Sequence, residues 1–202
     1  MRVRVLLLLL VSSILHGCAT QTIHPNTPNE PPLHTRLDDV QQHAFLIDYA
    51  QLLSEYGDHR EAIRILEDLR RDHPDNVTIR RYMAHIYEQA GQLDLALLAW
   101  EGTYKVGGDP WVDGAEYARV ALLVQRYDLA RELYHHWLDL APADSSRRVT
   151  ALNNLGYSYL LERQDEQACY WLEQALAIDP LHRRAQANLH LLRRMQQIDE
   201  LP

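Results

Sequence analysis

The side chains best suited to catalysis or metal binding are two cysteines and eleven histidines. No two of the histidines after Cys18 are four residues apart, the spacing that best places two imidazoles on one face of a helix. The sequence also has no glycine-rich phosphate loop, no Gly-x-Ser-x-Gly turn and no Cys-x-x-Cys pair. We therefore predict that the protein is not an enzyme and has no catalytic site, no metal site and no cofactor.

Cys18 follows a short apolar segment at the start of the chain. Arg2 and Arg4 form a basic head, and the run from Val5 to Leu15 is apolar apart from two serines. At a helical rise of about 1.5 Å per residue, this run is too short to cross a hydrocarbon core of about 30 Å. The order of charge, apolar run and small residues is typical of a secretory signal peptide.

The sequence "LHGC", which ends at Cys18, resembles the lipobox of bacterial lipoproteins. The resemblance implies that residues 1–17 are a signal peptide that is removed, and that the thiol of Cys18 carries the lipid anchor at the new N-terminus. Ala19 in place of an aspartate implies sorting to the outer membrane, on its periplasmic face. An ordinary signal peptide cut near Ala19 is the alternative.

Residues 18–36 hold four prolines and show no apolar period, which predicts an extended tether after the lipidated cysteine. Without the two arginines of the signal peptide, the chain has 18 basic and 28 acidic residues, a net charge of −10. Such a charge disfavours nucleic acid as a partner and disfavours electrostatic attachment to anionic lipid.

The second cysteine, Cys169, has no partner within the chain if Cys18 is lipidated. Three roles remain open for its thiol: a redox group, an intermolecular bridge, or a small packing residue on a helix.

A repeat of 34 residues follows the tether. Windows that begin at His43, Val77 and Trp111 are 34 residues apart, and a fourth begins four residues late at Val149. The eighth residue of every window is small: Ala50, Ala84, Ala118 and Gly156. The twentieth is always alanine: Ala62, Ala96, Ala130 and Ala168. The thirty-second is proline or glycine: Pro74, Gly108, Pro142 and Pro180.

This pattern resembles the tetratricopeptide repeat. The resemblance implies an all-α, right-handed superhelical solenoid of four helix-turn-helix repeats with a C-terminal capping helix. Small residues at positions eight and twenty suit this fold, because two helix axes approach closely only where side chains are small. The predicted domain covers residues 37–202, with repeats at about 43–76, 77–110, 111–144 and 149–182 and a cap at 183–198.

The turns and junctions differ between the repeats. Gly57 and Gly91 occupy the turn inside the first two repeats, where Gln125 and Arg163 stand in the last two. We expect the sequence "GGDP", Gly107 to Pro110, to form a looser junction than usual, and the four extra residues before Val149 to loosen the next junction.

In the tetratricopeptide-repeat family the first helices line a concave groove. The resemblance implies ten groove residues for a partner protein or extended peptide: Arg81, Tyr82, His85, Glu116, Arg119, Asn153, Asn154, Tyr157, Arg184 and Asn188. Asparagines such as Asn154 and Asn188 commonly bond the backbone of a bound peptide in this family, and Arg119 and Tyr157 could hold an acidic or apolar side chain of the ligand. The alternative is that the asparagines only support contacts between helices.

A lipid anchor followed by these repeats and the ending "LNNLGYSY…AIDP…ANLHLL" resembles the TadD-type lipoproteins of tight-adherence (Flp) pilus systems and the pilotins of type IV pilus secretins. The resemblance implies a membrane-anchored interaction scaffold in the periplasm that assists pilus or secretion assembly, with a secretin or pilus component as its partner. An envelope adaptor that docks a peptidoglycan hydrolase or protease is the alternative.

Lipidation should depend on Cys18 alone. We expect cells that produce the Cys18→Ser variant to incorporate no labelled palmitate into the protein, because serine lacks the thiol that receives the lipid. Cys169→Ser serves as the matched control and should be labelled like the unchanged protein. Label that persists on the Cys18→Ser variant would contradict the lipobox interpretation.

Overall fold

The computed structural model describes residues 38–199. These residues form nine α-helices and no strand. The helices are α1 (Asp39–Glu55), α2 (His59–Asp72), α3 (Val77–Gln89), α4 (Leu93–Lys105), α5 (Asp113–Leu123), α6 (Tyr127–Leu140), α7 (Ser146–Leu161), α8 (Asp165–Ile178) and α9 (Arg183–Asp199). The predicted signal peptide, the predicted lipidation site Cys18 and the predicted tether all lie outside the described residues.

The helices pack as four consecutive antiparallel pairs, with α9 against α7 and α8. This arrangement confirms the predicted all-α solenoid of four repeats and a capping helix. Short polar side chains begin several of the helices: Asp38, Asp58, Asn76 and Ser145 each accept a hydrogen bond from the backbone N–H three residues later. None of the helices between residues 38 and 199 combines the length and the apolar composition that a membrane span requires.

One backbone geometry closes the turn inside every pair. Gly57 and Gly91 have φ values of +86° and +70°, and Gln125 and Arg163 take 60° and 62° at the corresponding places. In each turn the next N–H bonds to the carbonyl five residues before it, at 2.7–2.9 Å: Asp58 to Leu53, Gln92 to Tyr87, Arg126 to Ala121 and Gln164 to Tyr159. The last two turns therefore keep the glycine conformation without glycine.

The small residues of the repeat lie where the two helices of each pair touch. All seven alanines at the eighth and twentieth positions are 0% exposed: Ala50, Ala62, Ala84, Ala96, Ala118, Ala130 and Ala168. In the fourth pair the eighth residue is Gly156, where a Cβ would lie 2.6 Å from Cγ of Leu172 and 3.0 Å from its backbone nitrogen. These contacts explain the residue types that repeat every 34 positions.

The junction between α4 and α5 is tighter than the sequence led us to expect. Asp109 accepts hydrogen bonds from the N–H groups of Trp111 and Val112, both at 2.8 Å, and Asp113 accepts one from the N–H of Asp109 at 2.6 Å. A Cβ at Gly108 would lie 2.7 Å from the carbonyl oxygen of Thr103, so the close approach requires glycine. The prediction of a loose junction was wrong because these carboxylates bond the backbone groups that the turn leaves free.

The four extra residues before the fourth repeat extend α7 and do not loosen the chain. Ser145 caps the helix, with its hydroxyl 3.2 Å from the N–H of Arg148, and residues 146–148 form the first turn. The guanidinium of Arg148 also bonds the carbonyl of Leu138 on α6 at 3.1 Å. As a result α7 has 16 residues, compared with 11 in α5.

The buried core consists of two clusters that meet at α7. Ala151 and Leu155 belong to the cluster that extends back to α1, while Val149, Leu152 and Leu160 belong to the cluster with α8 and α9. The half-buried residues Leu138 and Trp171 pack against both clusters. The helix that carries the extra turn is therefore also the helix that joins the two parts of the core.

The contact at Gly156 generates a stability prediction. Alanine favours a helix over glycine by about 1 kcal/mol, but overpacking costs about 1–3 kcal/mol, so Gly156→Ala should lower the free energy of unfolding by about 1 kcal/mol. Gly102→Ala is the matched control, because its Cβ would meet only the guanidinium end of Arg80. Urea unfolding of the two variants should show opposite changes, and an equal change in both would contradict the assigned contact.

Candidate functional site

A cavity of about 740 Å³ opens between α5, α7 and α9. Its volume falls in the range of about 300–1,000 Å³ that is typical of ligand sites. It is lined by Trp111, Ala115, Glu116, Arg119, Leu122, Tyr134, Trp137, Ser146, Arg147, Thr150, Asn153, Asn154, Tyr157, Arg184, Ala187 and Asn188. We call this opening the α5–α7–α9 cavity.

Seven of the ten predicted groove residues line this cavity: Glu116, Arg119, Asn153, Asn154, Tyr157, Arg184 and Asn188. The fold brings them together because successive first helices lie side by side, so that residues at one position of the repeat lie along one face. Their role in binding a partner stays a prediction.

The other three predicted groove residues lie on α3, outside the cavity. Arg81 forms two hydrogen bonds with Asp113, which is fully buried, at 2.6 and 2.7 Å, and these bonds raise the pKa of Arg81. Tyr82 is half-buried against the core, and His85 packs edge-on against Trp100 with the ring centroids 5.0 Å apart. The Arg81–Asp113 pair ties α3 to the start of α5, which is a structural role.

An aromatic wall forms one side of the cavity, and the sequence did not single out its residues as site residues. The rings of Trp111 and Trp137 are 5.4 Å apart, and those of Tyr134 and Trp137 are also 5.4 Å apart. The indole N–H of Trp137 bonds the carbonyl of Pro110 at 2.7 Å, which fixes the ring beside the α4–α5 junction. Tyr134 and Trp137 belong to a second helix, where the repeat pattern predicts only core packing.

Tyr134 is 3% exposed as a whole residue and lines the cavity, where its hydroxyl forms no hydrogen bond with another described residue. Burial, with a smaller contribution from nearby Tyr157, raises the pKa of Tyr134, so the phenol stays protonated at neutral pH and keeps its donor. Because Tyr134 lines the cavity wall, this hydroxyl can donate a hydrogen bond to a ligand there.

Three asparagines form a chain of hydrogen bonds across the cavity. Asn188 on α9 donates to the side-chain oxygen of Asn153 at 3.0 Å, and Asn153 donates to that of Asn154 at 3.1 Å. Asn153 is 4% exposed, so these bonds satisfy a buried amide and hold α9 against α7. The amides of Asn154 and Asn188 thus support the contact between helices, and each still has unused hydrogen-bonding groups.

Arg119 already has two partners within the protein. Its guanidinium bonds Glu116 on the same helix at 2.7 Å and reaches Glu88 on α3. Burial alone would lower the pKa of Arg119, but the bonds to Glu88 and Glu116 outweigh it and raise the pKa. We expected Arg119 to hold an acidic side chain of the ligand. In the structure its charge is already neutralised by Glu88 and Glu116.

Arg147 and Arg184 are the cavity arginines that form no ion pair with a described residue. Both are exposed. The guanidinium carbon of Arg147 lies 4.7 Å from the ring centroid of Trp111, within the range of a cation–π contact. Arg147 belongs to the extra turn of α7, which was expected only to loosen the junction before the fourth repeat.

The described residues offer no cluster for metal chemistry. No group of three or more His, Cys, Asp or Glu side chains within residues 38–199 could hold a metal ion. The fold does bring His43 on α1 and His73 at the end of α2 together, with their Nε2 atoms 2.9 Å apart, and spacing along the sequence does not show this pairing. Burial and nearby Glu173 raise the pKa of the Cys169 thiol, which lowers its thiolate fraction and its reactivity.

Comparisons with known proteins agree with this architecture. A family model described as a tetratricopeptide repeat matches residues 43–99. No curated protein sequence matches the chain. The structure of MamA, residues 41 to the end, from Desulfovibrio magneticus RS-1 is 19% identical with a TM-score of 0.59, over 76% of this chain and 85% of that chain. The structure of YrrB, described as a TPR protein with an unusual peptide-binding site, is 17% identical with a TM-score of 0.55, over 77% of this chain and 78% of that chain.

At these identities the two structures bear on the fold alone. Together with the matched segment, the helix pairs and the buried small residues, they lead to one conclusion: residues 38–199 have the fold of a tetratricopeptide-repeat superhelix.

Proposed function

We propose that this protein is a scaffold that binds an extended segment of a partner protein in the α5–α7–α9 cavity. The observation that carries the proposal is the asparagine chain at the cavity wall. Asn153 bonds the side-chain oxygen of Asn154 and the side-chain NH₂ of Asn188. The amide NH₂ of Asn154 and the amide oxygen of Asn188 therefore remain available. One donor and one acceptor on neighbouring helices complement the C=O and N–H groups of a peptide backbone.

The buried position of Asn153 makes these groups rigid. An amide that is fixed by two hydrogen bonds orients both of its neighbours before a ligand arrives, which lowers the entropic cost of binding. The aromatic wall offers apolar surface beside the amides, as ligand sites usually do. The peptide-binding site described for YrrB, a structural neighbour of this fold, adds support for a peptide as the ligand.

We further propose that the scaffold is anchored by lipid at Cys18 on the periplasmic face of the outer membrane. The support is the apolar segment and the "LHGC" sequence that precede the repeats. A proline-containing tether of about 20 residues at roughly 3 Å per residue would let the repeats bind partners a few tens of ångströms from the bilayer.

A pilus or secretion component, such as a secretin, is the partner class that we propose for this site. The support is the resemblance of the anchor, tether and repeat arrangement to TadD-type lipoproteins. A peptidoglycan hydrolase or protease as the docked partner is the competing proposal, and the same experiment decides between the two.

A photo-crosslinking amino acid in place of Ala187 tests the scaffold function in living cells. Ala187 is an exposed residue of the cavity wall, so its crosslinker should capture a partner that mass spectrometry identifies as a secretin or pilus component. The matched control carries the crosslinker at Ala177, which is exposed on α8 away from the cavity, and should capture little.

The outcomes separate the parts of the proposal. Equal capture at both positions, or no adduct at position 187, would contradict binding in the cavity. Selective capture of a peptidoglycan hydrolase or protease at position 187 would keep the scaffold function and replace the pilus role with the adaptor role.

A further inference from the structure

The charge at the cavity is opposite to the charge of the whole chain. The chain has 20 basic and 28 acidic residues, a net charge of −8. At the cavity, Glu116 is already paired with Arg119, whereas Arg147 and Arg184 have no carboxylate partner among the described residues. The unpaired charges that face a ligand are therefore two guanidinium groups, which complement an anion.

The arrangement of Arg147 suits a carboxylate. Its guanidinium lies over the ring of Trp111 at 4.7 Å, a contact that leaves the N–H groups at the edge of the guanidinium plane free to donate. A guanidinium held in this way can form two parallel hydrogen bonds with one carboxylate. Because Arg147 lies in the first turn of α7, which Ser145 caps, its backbone is also fixed.

The surface beside this charge is apolar and carries one free donor. Trp111 and Trp137 form a tilted pair with ring centroids 5.4 Å apart, and Tyr134 lies against Trp137. The Tyr134 hydroxyl, in a side chain that is 3% exposed, has no partner among the described residues. A ligand that fills the space against this wall can accept a hydrogen bond from this hydroxyl.

We infer, on the basis of the proposed function, that the bound segment presents an acidic side chain next to a large apolar side chain. The carboxylate binds the guanidinium groups of Arg147 and Arg184, and the apolar side chain packs against Trp111 and Trp137. The backbone between them bonds the free groups of Asn154 and Asn188, and a ligand oxygen accepts from Tyr134. Neither an apolar nor a basic segment would satisfy the two arginines.

Selection from a random dodecapeptide display library on the full-length protein in detergent tests this inference. We expect the selected peptides to be enriched in Asp or Glu beside Trp, Phe or Leu. A fluorescent peptide of the consensus sequence should then bind the Arg147→Gln and Arg184→Gln double variant about 10- to 100-fold more weakly. This is the loss of affinity expected when one hydrogen bond to a charged group is removed.

Two further variants separate the inference from the proposed function. The control is the double variant Arg60→Gln and Arg194→Gln, which removes two exposed arginines outside the cavity and should bind the peptide like the unchanged protein. Ala187→Trp fills the cavity from its exposed wall and should abolish binding. Circular dichroism confirms that each variant is helical.

Each outcome has a definite meaning. One outcome is that the selected peptides lack acidic residues, bind the Arg147→Gln and Arg184→Gln double variant normally, and fail to bind the Ala187→Trp variant. This outcome would overturn the inference and leave the proposed function intact. If no peptide is selected, or if the selected peptides bind the Ala187→Trp variant as well as the unchanged protein, both the inference and the proposed function are overturned. Binding to phosphatidylglycerol vesicles that is lost in the cavity double variant, with no peptide selected, would show that the arginines serve a lipid instead.

Discussion

The close contact between the two helices of each pair is the constraint on which the rest of this structure depends. Seven alanines at this contact are fully buried, and at Gly156 even a methyl group would collide with Leu172. Such contacts fix the distance and direction of the second helix relative to the first, because packed interiors tolerate little change in volume. Once each pair is fixed, the first helices of successive pairs must lie side by side, and their polar residues form one surface.

The cavity exists where this regular stacking changes. Between α3 and α5, the ion pairs of Arg81 with Asp113 and of Arg119 with Glu88 bridge the two helices. Among the described residues no hydrogen bond joins α5 to α7, and the cavity lies between them. The extra turn of α7 and the ordered α4–α5 junction place Arg147 and Trp111 at the opening, so the departures from the 34-residue period coincide with the candidate site.

Much of the fold follows from the sequence because its physical demands are local and repeated. Alanine or glycine at two fixed positions predicts the helix contacts, and Gly57 and Gly91 mark the turns of the first two pairs. That Gln125 and Arg163 adopt the same positive φ in the last two pairs was not predicted. The prediction of loose junctions was wrong for a reason that the spacing of residues in the sequence cannot show. Asp109 and Asp113 bond backbone groups of the junction, and that depends on how the chain folds back on itself.

The candidate site could be predicted only in part. Position within the repeat identified Asn154 and Asn188, but their bonds to Asn153 depend on the register of α7 against α9. Tyr134 and Trp137 belong to a second helix, for which the sequence analysis predicted no site residues, and they line the cavity together with residues of α5, α7 and α9. Arg147 was missed because residues outside a repeat have no position from which a role can be inferred.

Nuclear magnetic resonance of the indole N–H groups tests the central claim, that a partner segment binds in the α5–α7–α9 cavity. The chain has four tryptophans, of which Trp111 and Trp137 line the cavity while Trp100 and Trp171 do not. Titration of the full-length, ¹⁵N-labelled protein with a peptide from the crosslinked partner should shift the signals of Trp111 and Trp137 and leave the other two unchanged. Shifts confined to Trp100 or Trp171 would contradict the account, because they would place the partner on another surface of the superhelix.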